Sequence, residues 1–145
     1  MKKRTSIVTA AVLAVTISGS MLSTAPAQAA TTITRNCGAA ARMCLYYNSI
    51  GVGLNAEFGS DTDVWSLNYN VNGANYYKFK AGAEGSAGAG VNVWNNAATG
   101  RNFHTWKNFA VFQDSNYSGP ATTVPYGYIA NLGLVKNNNT SMKWL

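Results

Sequence analysis

The fold of this chain is decided by the stretch VFQDSNYSG, residues 111–119. It places the aromatic Phe112 seven residues before Gly119. This spacing is typical of a folded hairpin, because glycine accepts the positive φ of a tight corner and the ring packs across that corner. Further along, residues 137–141 read NNNTS, and a hydroxyl such as that of Ser141 can hydrogen-bond back to the hairpin and close the unit.

The same two patterns occur, in the same order, in the first half of the chain. Residues 45–53 read LYYNSIGVG, with Tyr46 and Gly53 at the corner positions, and residues 95–99 read NNAAT. An ordered repeat of this kind indicates two similar structural units within one domain.

The first unit is the longer of the two. Its aromatic and hydroxyl residues are 53 positions apart, against 29 in the second unit, and Gly51 stands where the second unit has Tyr117. The additional residues include Trp65, Tyr69 and a Gly- and Ala-rich segment at 81–90. We expect the insertion to form an additional hairpin, and the low side-chain bulk of segment 81–90 to make that segment a mobile loop.

The rest of the chain has β character. Short aromatic or β-branched runs recur between Gly, Asn, Asp and Pro residues, and helical periodicity is hard to find. This pattern predicts an all-β fold, with antiparallel strands in a sandwich or barrel. The candidate strands are residues 43–47, 54–58, 64–68, 76–79, 91–94, 109–113, 121–124, 128–132 and 141–144.

The N-terminal residues have the three regions of a secretory signal peptide. A basic start, MKKR, is followed by an apolar run at residues 7–17 and by APAQAA at residues 25–30. Cleavage after Ala29 removes residues 1–29 and leaves a single domain, residues 30–145. The apolar run is too short to span a bilayer, so we expect a secreted, extracellular protein that is not attached to a membrane.

The charge balance changes when the signal peptide is removed. The full chain of 145 residues has a formal net charge of +6. Three of its basic residues, and none of its acidic ones, belong to residues 1–29, so the remaining chain carries a charge of +3. A charge this small is weak evidence for a nucleic-acid partner, and we expect none.

The polar residues offer little for catalysis. The chain has one histidine, His104, in an aromatic segment, and among its five acidic residues Asp61 and Asp63 are the closest in sequence. A Ser or Cys nucleophile needs an imidazole beside it, and a zinc site needs several His or Cys ligands. Two acids at positions i and i+2 of a turn are typical of a solvated loop rather than of an acid/base pair. We therefore do not expect an enzyme.

Cys37 and Cys44 are the two cysteines of the chain. An even number of cysteines in an exported chain predicts a disulfide, which here would close a short loop near the start of the domain. The alternative is two free thiols or pairing between molecules.

The repeated pattern resembles a known superfamily. The aromatic-x6-Gly corner with a later Asn-Asn-x-x-Ser/Thr resembles the Greek-key motif of the βγ-crystallins. The secreted frame, the cysteine before residues 45–48 (LYYN), the stretch GAGVNVWNNAA at 88–98 and the closing segment 116–143 look like the small exported actinobacterial proteins of the metalloproteinase-inhibitor family with a crystallin-like fold. The resemblance implies two Greek keys packed as a sandwich, the first in residues 37–103 with its insertion and the second in residues 108–145.

The same resemblance implies that the protein inhibits an extracellular protease, with a metalloprotease as its partner. A rigid loop on a stable β scaffold can enter a protease cleft, because its conformational entropy is already lost. The candidate loop is residues 61–75, where Asp61, Asp63, Trp65 and Tyr69 are the candidate contact residues. The Gly- and Ala-rich segment 81–90 is a second candidate, but its expected flexibility argues against it. We expect the protein to act as a monomer and to require no cofactor.

Calcium binding is a first alternative. Crystallin-type sites use the hexapeptide Asn/Asp-Asn/Asp-x-x-Ser/Thr-Ser, whose oxygens suit a hard cation. Residues 95–100 and 137–142 each keep three of the four constrained positions, but neither contains a carboxylate, so binding should be weak. The candidate ligands are Asn96, Ala97, Thr99, Asn138, Asn139 and Ser141.

A second alternative is binding to cell-wall polysaccharide, with antimicrobial activity as one form of it. The chain has eight tyrosines and four tryptophans, and exposed aromatic rings bind sugars by stacking against their apolar faces. A positive net charge would also favour anionic polymers. The competing interpretation is that most of these rings pack in the protein's own core.

Overall fold

The computed structural model describes residues 36–38, 42–71 and 74–145. The predicted signal peptide, residues 1–29, lies outside the described residues. In the described part of the chain, no helix has the length and apolar character needed to cross a membrane.

The described residues form ten β-strands and two short 3-10 helices. The strands are β1 (Met43–Tyr46), β2 (Ala56–Ser60), β3 (Asn70–Val71), β4 (Ala74–Asn75), β5 (Lys80–Ala81), β6 (Thr99–Asn102), β7 (Phe109–Asp114), β8 (Ser118–Val124), β9 (Ile129–Asn131) and β10 (Ser141–Trp144). The 3-10 helices are Ser115–Tyr117 and Gly133–Val135. The all-β class predicted from the sequence is therefore confirmed.

The strands form two main antiparallel sheets and one small hairpin. The first sheet has the order β5-β2-β1-β6-β9, and the second has the order β10-β7-β8. Strands β3 and β4 pair with each other as the hairpin, which belongs to the insertion of the first unit.

Each sheet receives a segment from the other half of the chain. Strand β9, from the second unit, pairs with β6 of the first unit and places Asn131 opposite Thr99. In the other direction, Val64 of the first unit forms an antiparallel bridge with Met142 of β10. This exchange is the connection pattern of a Greek key, in which a strand returns to lie beside a partner distant in sequence.

The core lies between the two sheets. Leu45 and Phe58 of the first sheet and Phe109 of the second belong to one cluster of buried apolar side chains. Burial of each such side chain stabilises the fold by about 1.5–3 kcal/mol. Leu67 and Leu132, which follow the two exchanged segments, belong to the same cluster, so the core holds the exchange together.

Six of the nine predicted strands are present, most with shifted ends, whereas predicted strand 64–68 contributes only the isolated bridge at Val64. Strands β5 and β6 were not predicted, and β6 is the longer of the two. Its sequence, TGRN, lacks an alternating apolar pattern because Gly100 packs closely against the core: a Cβ there would lie 2.8 Å from Cγ2 of Val124. Segments 76–79 and 91–94 contribute the isolated bridge between Lys78 and Asn92 in place of the two predicted strands.

The Gly- and Ala-rich segment 81–90 is held by the fold and is not the loose loop that its composition predicts. The Ala56 N–H of β2 donates to the Ala87 carbonyl at 3.2 Å. Small residues are needed because the segment crosses closely over other residues of the same chain. A Cβ at Gly88 would collide with the ring of Tyr47.

The predicted disulfide between Cys37 and Cys44 is present. It joins the N-terminal described residues to β1, with the two Cα atoms 5.5 Å apart. The Cys37 N–H also donates to Oε1 of Glu57 at 3.1 Å, which ties this part of the chain to β2.

Candidate functional site

Asp61 and Asp63 both bind Trp144, at the end of β10. Oδ1 of Asp63 accepts a hydrogen bond from the Trp144 backbone N–H at 2.9 Å. The Asp61 carbonyl accepts from Nε1 of the same tryptophan at 3.1 Å. These two candidate contact residues therefore hold the start of segment 61–75 against the second sheet.

The next residues run along β10 as an additional edge. Val64 exchanges two backbone hydrogen bonds with Met142, at 2.8 and 3.0 Å. The Leu67 N–H donates to the Thr140 carbonyl at 2.6 Å. Because the side chains of Val64 and Leu67 are also buried, residues 64–67 are fixed by their backbone and by the core.

Trp65 and Tyr69 extend from this fixed segment into solvent. Their side chains are 51% and 42% exposed, respectively. Their rings meet edge to face with centroids 5.8 Å apart, and Tyr69 meets Tyr76 in the same way at 5.6 Å. The Trp65 carbonyl accepts from the Asn116 N–H at 2.8 Å, which fixes its backbone as well. We call Trp65, Tyr69 and Tyr76 the aromatic row.

The two hexapeptides of the sequence bind each other reciprocally. The Asn95 N–H donates to the Asn139 carbonyl at 2.9 Å, and the Asn137 N–H donates to the Ala97 carbonyl at 2.9 Å. In both directions the first residue of one hexapeptide binds the third residue of the other. Asn95 and Asn137 also share a positive φ, of 55° and 53°. The sequence repeat is therefore a structural repeat.

The fourth residue of each hexapeptide binds the corner of its own unit. The Ala98 N–H donates to the Tyr46 carbonyl at 2.9 Å, and the Thr140 N–H donates to the Phe112 carbonyl at 2.8 Å. Each hexapeptide is thus joined both to its own hairpin and to the other unit.

The two hairpin corners share one backbone geometry. Gly53 and Gly119 have φ values of 91° and 76°. Gly51 and Tyr117, which differ in residue type, also both have positive φ, at 91° and 59°. Equivalent positions of the two hairpins therefore have a similar backbone conformation although their residue types differ.

The hydroxyls of Thr99 and Ser141 are used inside the fold. Oγ of Ser141 accepts from the Tyr117 N–H at 3.1 Å, which closes the second hairpin directly. Oγ1 of Thr99 donates to Oδ1 of Asn131 at 3.0 Å, and that oxygen also accepts from the Ile50 N–H at 2.9 Å. In the first unit the hydroxyl therefore reaches its hairpin through the side chain of Asn131.

The hexapeptide asparagines differ in burial. Asn139 is fully buried; its Oδ1 accepts from the Ala97 N–H at 3.0 Å and its Nδ2 donates to the Val93 carbonyl at 3.3 Å. Oδ1 of Asn95 is buried and has no hydrogen-bond partner among the described residues. Asn138 is exposed.

Three features of the hexapeptides bear on the predicted calcium site. The carbonyls of Ala97 and Asn139 already accept the reciprocal backbone bonds, and neither hexapeptide has a carboxylate. The cationic Lys136 lines the cavity beside them. Across residues 36–38, 42–71 and 74–145, no group of three or more His, Cys, Asp or Glu residues could hold a metal ion. Two of the candidate calcium ligands, Ala97 and Asn139, join the two units, and calcium binding stays a prediction of the sequence.

A polar cleft of about 150 Å³ lies on the first sheet near the disulfide. It contains the carboxylates of Glu57 and Glu84, the phenol of Tyr46 and the guanidinium of Arg101. Burial raises the pKa of Tyr46 and the charge of Glu57 raises it further, whereas Arg101 acts in the opposite direction. Sequence reasoning missed this cluster because its members are scattered along the chain.

His104 is a buried structural side chain. It is 7% exposed and lies between the rings of Trp106 and Trp144, with centroids 4.7 and 5.0 Å away. Its Nδ1 accepts from the N–H groups of Trp106 and Lys107 at 3.2 and 3.1 Å. Burial lowers the pKa of His104, and the positive charges of Arg42 and Lys107 lower it further. The neutral imidazole thus stabilises the turn that follows it.

Comparison with known proteins bears on the fold. No protein-family model and no curated protein matches the sequence. Among solved structures, one described by the words "Evolution of the eye lens beta-gamma-crystallin domain fold" superposes with a TM-score of 0.52 and 8% sequence identity. The match covers 78% of this chain and 92% of the other. It confirms the predicted βγ-crystallin-like architecture, and at this identity it shows the fold alone.

Proposed function

We propose that this protein is a secreted inhibitor of extracellular proteases, directed at metalloproteases, and that the aromatic row contacts the enzyme. The choice of this surface as the one that contacts the protease depends on one observation. Trp65 and Tyr69 are exposed although the segment that bears them is hydrogen-bonded to the second sheet. The sequence resemblance supports the activity, and the geometry supports the surface.

Rigid presentation of these rings favours tight binding. An inhibitor loop that is already ordered loses little conformational entropy when it enters a cleft. Here the backbone is bonded to Met142, Thr140 and Asn116 before any protease is present. Exposed Trp and Tyr are also the side chains that most often supply the binding energy at the centre of an interface.

In this proposal, Asp61 and Asp63 are positioning residues and not contact residues. Both bind Trp144, so they position the segment and leave the contact with the protease to Trp65 and Tyr69. The proposed activity requires no cofactor, because an inhibitor of this kind acts by occupying the cleft.

The test is a titration of the chain without its signal peptide into a thermolysin-like metalloprotease, with a serine protease in parallel. We expect stoichiometric inhibition of the metalloprotease. The Trp65→Ala variant should weaken inhibition by about 30-fold, the effect of losing one strong interface residue.

Trp106→Ala is the matched control. Trp106 is also an exposed tryptophan but lies on another loop, so its removal should leave inhibition unchanged. An equal loss in both variants would mean that the contact lies elsewhere. If the folded protein inhibits neither protease at micromolar concentration, the proposal is wrong.

A further inference from the structure

A cavity of about 300 Å³ opens where the hairpin of the first unit meets the hexapeptides. Its wall includes Tyr47, Asn48 and Ser49 of the hairpin and Asn96 and Asn137 of the hexapeptides. This volume is at the lower end of the range typical of small-molecule sites. The aromatic row does not line the cavity, so this region is separate from the proposed inhibitory surface.

Several polar groups in the wall are available to a ligand. The side chains of Asn48, Ser49 and Asn137 make no hydrogen bond to another described residue. Nδ2 of Asn96 donates to the Trp94 carbonyl at 2.9 Å, which leaves its amide oxygen as an acceptor. Amides and hydroxyls can both donate and accept, and they therefore suit the hydroxyl groups of a sugar.

Lys136 gives the cavity a positive charge. Within the described part of the chain its ammonium forms no ion pair, and none of the chain's five acidic residues lines the cavity. An anionic ligand would gain a charge-assisted hydrogen bond here, whereas a metal cation would be repelled. The charge therefore favours a ligand that carries an anionic group, of which a carboxylate is one.

Tyr47 is an aromatic residue of the cavity wall. Phe79 contacts it edge to face, with centroids 5.9 Å apart. Gly88 packs so closely against it that a Cβ would collide with the ring. The ring is thus held in place from within the protein. A fixed aromatic ring beside a few hydrogen-bonding groups is a common design for a small-ligand site, and it suits the C–H face of a pyranose.

We propose that this cavity binds a carboxylate-bearing monosaccharide unit. The carboxylate pairs with Lys136, the sugar hydroxyls bind the amides of Asn48, Asn96 and Asn137, and the sugar ring packs against Tyr47. A neutral sugar lacks the partner for Lys136, and a simple carboxylate lacks the hydroxyls. The proposal therefore predicts that both parts of the ligand are needed.

The test is an NMR titration of the isotope-labelled protein with D-glucuronate and N-acetylmuramate. D-glucose, N-acetylglucosamine and acetate are titrated alongside them. We expect saturable shifts at residues 47–49 and 136–137 with an acidic sugar, with a Kd on the order of 1 mM, and binding at least about tenfold weaker for the neutral sugars and acetate. Tighter binding of N-acetylmuramate would support the proposal with peptidoglycan as the source, and tighter binding of D-glucuronate would support it with an acidic polysaccharide.

Lys136→Gln removes the charge and keeps a polar side chain. It should reduce the affinity for the acidic sugar to that for the neutral one. Lys143→Gln is the matched control, because Lys143 lies over the rings of Phe112 and Tyr117 and does not line the cavity. Equal affinity for acidic and neutral sugars, acetate binding as tight as the acidic sugars, equal effects of the two lysine variants, or no saturable shift would each overturn the proposal. The assay contains no protease, so its outcome is independent of inhibition.

Discussion

The side-chain amide of Asn139 holds the backbone of Ala97, a residue 42 positions earlier in the chain, by accepting its N–H at Oδ1 over 3.0 Å. The backbone amides of Asn95 and Asn137 add two reciprocal bonds between the same hexapeptides. These contacts lie where the two Greek keys meet. The two keys are therefore joined at the same hexapeptides that are the candidate calcium sites, through Ala97 and Asn139 among others.

Asn139→Ala should lower the free energy of unfolding by about 1–3 kcal/mol. It leaves the buried Ala97 N–H without a partner, whereas the Val93 carbonyl keeps the hydrogen bond from the Asn96 N–H. Urea unfolding measures the change. Asn138→Ala is the control, because Asn138 is exposed and its loss should change stability by less than about 0.5 kcal/mol. Similar losses in both variants would contradict this account.

Gly88→Ala should be clearly more destabilising than Gly90→Ala. Both glycines have positive φ, 90° and 85°, so alanine at either position costs about 1–2 kcal/mol for the backbone. Only at Gly88 does a Cβ also collide with Tyr47, and such overpacking adds about 1–3 kcal/mol. Thermal unfolding of the two variants gives the difference. Equal stabilities would show that the segment can move away from the ring.

Stability should decrease as the pH falls below about 6.5, the ordinary pKa of histidine in an unfolded chain. Burial, Arg42 and Lys107 lower the pKa of folded His104, while Asp61 opposes them. The unfolded chain therefore binds this proton at a higher pH than the folded chain does. The stabilisation by neutral His104 is complete above the unfolded pKa and is lost as the pH falls through the folded pKa. Unfolding midpoints measured from about pH 8 to pH 5 test this.

His104→Asn separates the histidine from other titrating groups. Its amide oxygen can accept the N–H bonds that Nδ1 of His104 accepts from Trp106 and Lys107, and it does not titrate. We expect a flatter pH profile in this variant. An unchanged profile would assign the pH dependence to another group.

Calcium should leave the melting temperature unchanged. A ligand that binds only the folded state raises stability by mass action. Here the Ala97 and Asn139 carbonyls already accept backbone bonds, and Lys136 lines the adjacent cavity. Thermal unfolding with millimolar calcium, compared with a chelator, checks the prediction. A calcium-dependent rise would restore the crystallin-type site as an explanation.

If the protein inhibits proteases as proposed, Asp63→Ala should weaken that inhibition by about tenfold, although Asp63 is not one of the proposed contact residues. The variant loses the bond to the Trp144 N–H and so loosens the segment that carries Trp65 and Tyr69. Asp63→Asn keeps an acceptor at the same position and should recover the inhibition constant. If Asp63→Ala inhibits as well as the unmodified chain, the fixed start of the segment is irrelevant to inhibition.

Much of the fold could be predicted because its signals are local. The aromatic-to-glycine spacing marks both hairpin corners, and short apolar and aromatic runs mark strands such as β7 and β10, whose observed ranges are Phe109–Asp114 and Ser141–Trp144. Two sheets and a repeat follow from such patterns once the strands must bury their apolar faces.

Other features could not be predicted because their causes are not local. Strand β6 has few apolar residues, since Gly100 leaves room for Val124 and Leu132 from elsewhere in the fold. Segment 81–90 has a flexible composition, but its small residues let it pack across Tyr47. The cavity beside Lys136 is assembled from three separate parts of the chain, and none of them carries a motif for sugar binding.

By itself, the sequence determined the all-β class, the internal repeat and the cysteine pair, because these depend on residue spacing and composition. Only the tertiary structure decided that Asp63 holds Trp144, 81 positions away, that Leu67 and Leu132 pack in one core, and that Lys136 lines a cavity. Such contacts gain their free energy from burial and hydrogen bonds that form only after the two sheets have packed. Local sequence patterns do not indicate these contacts, because the partners become neighbours only in the folded state.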